Sequence, residues 1–186
     1  MNNLLLIVKC FVLLNSKIKI MAQITLGGNP ATTLGTLPAV GTQATDFTLT
    51  AVDLSSKKLT DYPGKRKILN IFPSVDTGVC ATAARTFNKE AASLDNTQVL
   101  CISRDLPFAQ ARFCAAEGIE NVEMLSDFKD GSFGDAYGLT VVDGPFANLH
   151  SRAVMVLDEQ NNVLYTEQVP EIGQEPNYTE ALKALV

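Results

Sequence analysis

KILNIFPSVDTGVCATAAR, residues Lys67 to Arg85, is the stretch whose reading decides the fold. Its apolar run, Ile68, Leu69, Ile71 and Phe72, is broken only by Asn70 and has the character of a strand buried on both faces, as parallel sheets require. Pro73 ends the run, since proline has no N–H to give to a ladder. Beyond a polar loop from Ser74 to Gly78, the residues Cys80, Ala84, Phe87, Ala91 and Leu94 recur at the spacing of one helical face. Strand, tight loop and amphipathic helix in that order place Cys80 in a first helical turn, just past the carboxyl end of a central strand. Unpaired backbone N–H groups and the positive end of the helix macrodipole meet there, and both favour a thiolate over a thiol.

Working outward, the segment from Gln23 to Asp53 is broken by Gly27-Gly28-Asn29-Pro30, Gly35, Pro38 and Gly41, which predicts hairpin turns. Small strands are expected over Thr48–Val52 and Lys57–Leu59. Downstream, Gln98–Ser103 reads as a second central strand. Asp105 is the expected N-cap of a helix running through FAQARFCAAEG, closed by Gly118. A short strand is expected at Val122–Leu125 and a helical turn at Phe133–Tyr137. The segments Ala153–Leu157 and Val163–Gln168 form a hairpin around DEQNN, and a last helix spans Tyr178–Leu185. This order predicts an α/β sandwich of the thioredoxin type with an N-terminal β-hairpin extension.

At 186 residues and 46% hydrophobic content the chain suits one well-buried domain. A formal charge of -5, with no Lys/Arg cluster that suggests a phosphate-tracking groove, argues against nucleic acid as a partner. One histidine, His150, and no CxxC leave too few ligands at zinc-site spacing for a metal. Residues 1–20 differ in character, with Lys9, Lys17 and Lys19 and no acid. Their apolar run, interrupted by Lys9, is too short to span a membrane, and the lysines fall in and after it where an export signal needs them before it. Residues 1–20 are therefore read as a doubtful extension ahead of a start at Met21, and 21–186 as the domain. A cytoplasmic protein without stable membrane association follows, the periplasm being the alternative if the extension is an export signal.

The cysteines separate by context. Cys101 lies among Val99, Leu100 and Ile102 and reads as a small core residue. Cys10 falls in the extension. Cys80 is either a filler of the first helical turn or a reactive thiol at the place where open α/β sheets bind ligands. Cys114 falls at the border of a helix face running through Phe108, Ala111 and Ala115, where it is either inert packing or a thiol released when the helix frays. Thr77 is either a helix N-cap or a hydroxyl turned toward the Cys80 sulfur. Arg152 enters a core strand, which is costly unless the guanidinium is paired, so it is the best candidate to lie beside a thiolate. Arg85 and Arg104 read as surface salt bridges, and nothing places His150 near the sulfur.

PSVDTGVC, residues Pro73 to Cys80, resembles the PxxxTxxC active-site loop of the peroxiredoxins. With CISRDLPFAQARFC and SRAVMVLDE it resembles the bacterial thiol peroxidases, atypical two-cysteine members of that family, from about Met21 to the C-terminus. The resemblance implies a peroxiredoxin variant of the thioredoxin fold and a peroxidase acting on hydrogen peroxide and alkyl hydroperoxides. Cys80 would be peroxidatic, Pro73 its shield, Thr77 a hydrogen-bond partner of the peroxide and Arg152 the stabiliser of developing negative charge. Cys114 would be the resolving cysteine, paired with Cys80 in an intrachain disulfide. No cofactor is implied; thioredoxin would be the reductant and the chain a homodimer. The competing reading on the same fold is a peroxide-sensing relay or binding module. A disulfide holds its Cα atoms roughly 4.4 to 6.8 Å apart, so cysteines on successive helices imply local unfolding in each cycle. The apolar residues near DGPFANL would line either a lipid-peroxide groove or a dimer interface.

Overall fold

The computed structural model describes residues 21–186; the expected extension over residues 1–20, with Cys10, lies outside them. The run after Lys65 forms strand β5 (Arg66–Ile71), which is central. It pairs in parallel with β6 (Thr97–Ser103) and antiparallel with β8 (Ala153–Leu157). Strand β7 (Glu123–Ser126) continues in parallel beside β6, and β9 (Val163–Gln168) runs antiparallel beside β8. Two short strands, β3 (Thr48–Ala51) and β4 (Ser56–Lys58), complete a seven-stranded sheet in the order β4-β3-β7-β6-β5-β8-β9. Parallel neighbours need crossovers, supplied by helices α1 (Gly78–Ala91) and α2 (Pro107–Glu117). The short helices α3 (Ser132–Ala136) and α4 (Tyr178–Lys183) follow. Strands β1 (Ala22–Leu26) and β2 (Asn29–Thr33) form the separate hairpin extension. Its two-residue turn uses Gly27 at φ 59° and Gly28 at φ 78°, left-handed values that glycine adopts without steric cost.

Period-two alternation divides the core into two layers. Ile68, Phe72, Val99, Cys101, Val154 and Val156 face α1, α2 and α4. Leu69, Ile71, Leu100, Ile102 and Met155 face the other way, toward Phe47, Phe133, Tyr137 and Leu139. Asn70, the polar break in the apolar run, lies buried on the first layer and donates from Nδ2 to Cys101 Sγ at 3.4 Å. Phe87 of α1 has no exposure and meets Tyr178 edge-on at 5.2 Å between ring centroids. Its truncation to alanine is expected to cost about 3–5 kcal/mol, because this layer has no slack to refill the space.

Several local expectations are corrected. Asp105 does not cap α2: Leu106 holds the N-cap position and contributes no side-chain bond. The carboxylate of Asp105 is drawn instead to Ser74 Oγ at 2.7 Å, Val75 N at 2.8 Å and Ser103 Oγ at 2.7 Å. The buried face of α2 is Pro107, Gln110 and Phe113, and Phe108 is 66% exposed. The face is turned because Gln110 Nε2 finds partners inside, donating to Ser103 Oγ and the Leu125 carbonyl, so a polar residue takes an inward position although its Oε1 has no partner among the described residues. Leu59 belongs to a 3-10 turn after β4 rather than to the strand. Gly118 closes α2 as expected, left-handed at φ 63° with its N–H on the Cys114 carbonyl.

Candidate active site

Cys80 is the third residue of α1 and has no solvent exposure. Two side chains reach its sulfur: Thr77 Oγ1 at 2.7 Å and Arg152 Nη2 at 3.2 Å. Thr77 occupies the N-cap position with extended backbone, yet its side chain makes no capping bond. Its hydroxyl, which has one proton to donate, lies 3.2 Å from the Ser74 carbonyl and closer to the sulfur. Of the two readings of Thr77, the structure supports the hydroxyl turned toward Cys80.

Sheet register brings in Arg152. Ala153 pairs with Ile71, so the residue before β8 emerges at the carboxyl end of β5, where the Cys80 loop begins. Arg152 is 1% exposed; its Nε donates to the Ile172 carbonyl at 2.9 Å, and Nη1 has no hydrogen-bond partner among the described residues. A buried guanidinium is costly when its charge is uncompensated. Arg152 and the amino end of α1 both bring positive charge to the Cys80 sulfur.

Thr77 and Arg152 are also the polar walls of a cavity of about 120 Å³, whose apolar walls include Leu26, Val79, Phe146 and Ile172. Given a water's share of about 30 Å³, that volume admits a peroxide group with a small alkyl portion. Phe146 comes from the DGPFANL loop, so part of that loop lines the cavity that Thr77 and Arg152 also wall. A larger cavity, about 460 Å³, is walled by Phe47, Asp127 and Phe133 at the other core layer and holds no cysteine.

The remaining candidates fall into place around this centre. Pro73 is buried immediately after β5. Cys101 is wholly buried, and burial pushes its thiol up to about 12 although the Asn70 amide opposes the shift. Cys114 is half-buried on α2 with its thiol raised, again by burial, and it borders a cavity of about 420 Å³ that also touches Gln98, Ile119, Val122 and Met124. That cavity shares no residue with the one beside Arg152. Cys80, Cys101 and Cys114 are all free thiols. His150 is buried with Nε2 3.3 Å from Asp127 Oδ2 and packs edge-on against Phe133, which belongs to the layer opposite Cys80. Arg85 makes the surface ion pair expected of it, with Glu117 at 3.0 Å. Arg104 instead donates to the Asn148 carbonyl at 2.8 Å.

Sequence reasoning missed three contributors. Asp105 carried a signal, an acid between a strand and a helix, that suits a cap equally well. Ile172 acts through its carbonyl, which no side-chain motif reports. Leu26 reaches the cavity only because the hairpin docks there. Between Cys80 and Cys114 run further links: Arg112 pairs with Asp76 at 3.2 Å, and Asp105 ties the loop before Cys80 to the loop before α2.

A thioredoxin-like sheet with one buried cysteine at a helix start, held by a threonine and an arginine and lacking a CxxC partner, defines a class of thiol redox proteins distinct from the CxxC oxidoreductases. The chain belongs to the Redoxin family, whose model matches residues 39–182. It is similar to the thiol peroxidases of Mycobacterium tuberculosis and Mycobacterium bovis, each 59% identical over 165 residues, 89% of this chain and 99% of the relative. Among solved structures, a peroxiredoxin-like protein from Aquifex aeolicus is 36% identical with a TM-score of 0.83, covering 89% of this chain and 97% of that one. The thiol peroxidase from Chromobacterium violaceum, 21% identical over 88% of this chain and 94% of its own, shares the fold with a TM-score of 0.82. The family and fold expected from the three sequence blocks are thereby borne out.

Proposed function

We propose that this chain is a thiol-dependent peroxidase that reduces hydrogen peroxide and alkyl hydroperoxides through Cys80. The observation that carries the reading is the pair of donors on one sulfur, Thr77 Oγ1 at 2.7 Å and Arg152 Nη2 at 3.2 Å, both also lining the small apolar-walled cavity. The Cys80 thiolate attacks one oxygen of ROOH, an S–O bond forms and the O–O bond breaks. The leaving RO⁻ takes up a proton as alcohol or water, and the sulfur becomes a sulfenic acid. Arg152 Nη1, the donor without a partner among the described residues, is positioned to meet the charge that develops on the leaving oxygen. Thr77 orients the peroxide, and Pro73 shields the sulfur.

Cys114 then attacks the sulfenic sulfur, expelling water and leaving a Cys80–Cys114 disulfide. Two electrons from a thioredoxin dithiol restore both thiols. Because Cys80 is wholly buried in the first turn of α1 and Cys114 sits on the separate helix α2, bond formation requires the first turn of α1, α2 or both to open. The unit performing this work is taken as residues 21–186, acting as a cytoplasmic homodimer with no cofactor and no stable membrane association. The similarity to named thiol peroxidases supports an enzyme over a peroxide-sensing relay.

The test is a coupled assay with thioredoxin, thioredoxin reductase and NADPH. Multiple turnovers that vanish in Cys80→Ser support the enzyme. Oxidation of Cys80 without repeated turnover would return the sensor to favour. Peptide mapping of the oxidised protein assigns the resolving role, and a linkage other than Cys80 to Cys114 would remove Cys114 from it.

A further inference from the structure

The Ile172 carbonyl that receives Arg152 Nε belongs to a segment with no regular structure of its own, and the hairpin extension pins it. Thr25 N–H donates to the Pro170 carbonyl at 2.7 Å, and Ile172 N–H donates to the Thr25 carbonyl at 2.9 Å. Between these bonds stands Glu171, whose carboxylate takes four donors. Oε1 accepts the N–H groups of Gly27 and Gly173, each at 3.0 Å; Oε2 accepts Thr25 Oγ1 at 2.8 Å and the N–H of Gly28 at 2.9 Å. The left-handed turn at Gly27 and Gly28 converges its two N–H groups on one anion, the concave arrangement of a backbone nest. The four donors hold the carboxyl at about 2, well below its ordinary value.

We propose that Glu171 is a positioning residue for peroxide reduction, clamping the tip of the β1–β2 hairpin to residues 171–173 and thereby aiming Arg152 at the Cys80 sulfur. Glu171 touches neither the sulfur nor its two donors. It acts through the next residue, whose carbonyl orients the guanidinium, with Arg152 Nε at 2.9 Å from that carbonyl and Nη2 at 3.2 Å from Sγ. The same clamp sets the cavity walls that come from the hairpin and its anchor, Leu26, Ile172 and Gly173. The proposal rests on the peroxidase reading above.

Glutamine at this position keeps the shape but turns an N–H₂ toward one pair of donors, so half of the clamp meets donor against donor. The experiment is single-turnover oxidation of Cys80 by hydrogen peroxide in the full-length Glu171→Gln and Glu171→Ala proteins, followed from mildly acidic to mildly alkaline pH, with thermal melting alongside. Glu171→Gln is expected to lower the oxidation rate about tenfold near neutrality, the scale of one weakened hydrogen bond to a charged group. The loss shrinks as pH rises, a dependence that partial unfolding alone would not give. Glu171→Ala loses at least as much. A variant rate equal to that of the unaltered chain overturns the proposal, as does a loss that is the same at every pH and follows the fraction of unfolded protein. An unaltered chain whose Cys80 resists peroxide altogether would overturn the peroxidase reading itself, and this role with it.

Discussion

Arg152→Lys tests the centre of the mechanism, because it keeps the charge and removes the geometry. The guanidinium makes two directed contacts from a wholly buried position, Nε to the Ile172 carbonyl and Nη2 to Cys80 Sγ, and holds Nη1 in reserve. An ammonium is one point donor group on a flexible stem and cannot span the carbonyl and the sulfur in the same fixed fork. At least one charge-assisted contact is lost, about 1.5–3 kcal/mol. If that energy acts in full on the transition state, Cys80 oxidation slows by roughly ten- to a hundredfold. The assay is stopped-flow reaction with substoichiometric peroxide, which isolates the first chemical step from disulfide formation and from reduction by thioredoxin. Arg152→Met should be slower still, because it deletes the charge and leaves the Ile172 carbonyl without its donor. Oxidation of Arg152→Lys within a factor of about two of the unaltered rate, a difference under half a kcal/mol, would refute the claim that the fork and not merely the charge is used.

Cys101→Ser should turn over as the unaltered enzyme does, because Cys101 lies in the core with a thiol pushed up to about 12; in the native protein it should also resist alkylation, and loss of turnover would assign it a part in the cycle. The pH dependence of the hairpin clamp has a definite sign. The folded carboxyl of Glu171 is depressed from 4.5 to about 2, chiefly by the N–H of Gly28, so its contribution is complete above the ordinary value and is lost as pH falls through the folded one. Protection of the Thr25, Gly27 and Gly28 amides, relative to their intrinsic exchange at each pH, should fall across that window in the unaltered chain, and Glu171→Gln should show the lower protection already at neutral pH. In the oxidised protein, amides of the first turn of α1 and of α2 should lose protection relative to the reduced protein; equal protection in both states would contradict the opening that the proposed Cys80–Cys114 disulfide requires. Asp105→Ala, which frees Ser74 and Val75, should speed the step from sulfenic acid to disulfide in a rapid-quench experiment.

Much of the site was legible before the fold. Cys80 could be placed at a helix start because a buried strand, a proline and a helical repeat follow one another within Lys67–Arg85, and each of these is a local property. Arg152 stood out because an arginine at the mouth of an apolar strand has to find a counter-charge. The hairpin Ala153–Leu157 with Val163–Gln168 was bounded correctly, its apolar alternation and the Asn161-Asn162 turn being short-range signals. What failed was the orientation of polar residues that find hydrogen-bond partners at long range. Gln110 turned α2 by bonding inward to Ser103 and Leu125, which left Phe108 outside, and Asp105 chose the Ser74 loop over the helix it precedes.

The sequence by itself determined the order of elements, the place of Cys80 at a helix start and the chemical types around it, because periodicity, proline and cysteine context act over a few residues. Only the tertiary structure decided which hydroxyl proton faces the sulfur, that a carbonyl from residue 172 steers the guanidinium, and that a hairpin far away in sequence forms a wall of the cavity. Those choices depend on register between strands and on where each buried polar group finds its partner, and a hydrogen bond between Thr25 and Glu171 leaves no trace in either local sequence.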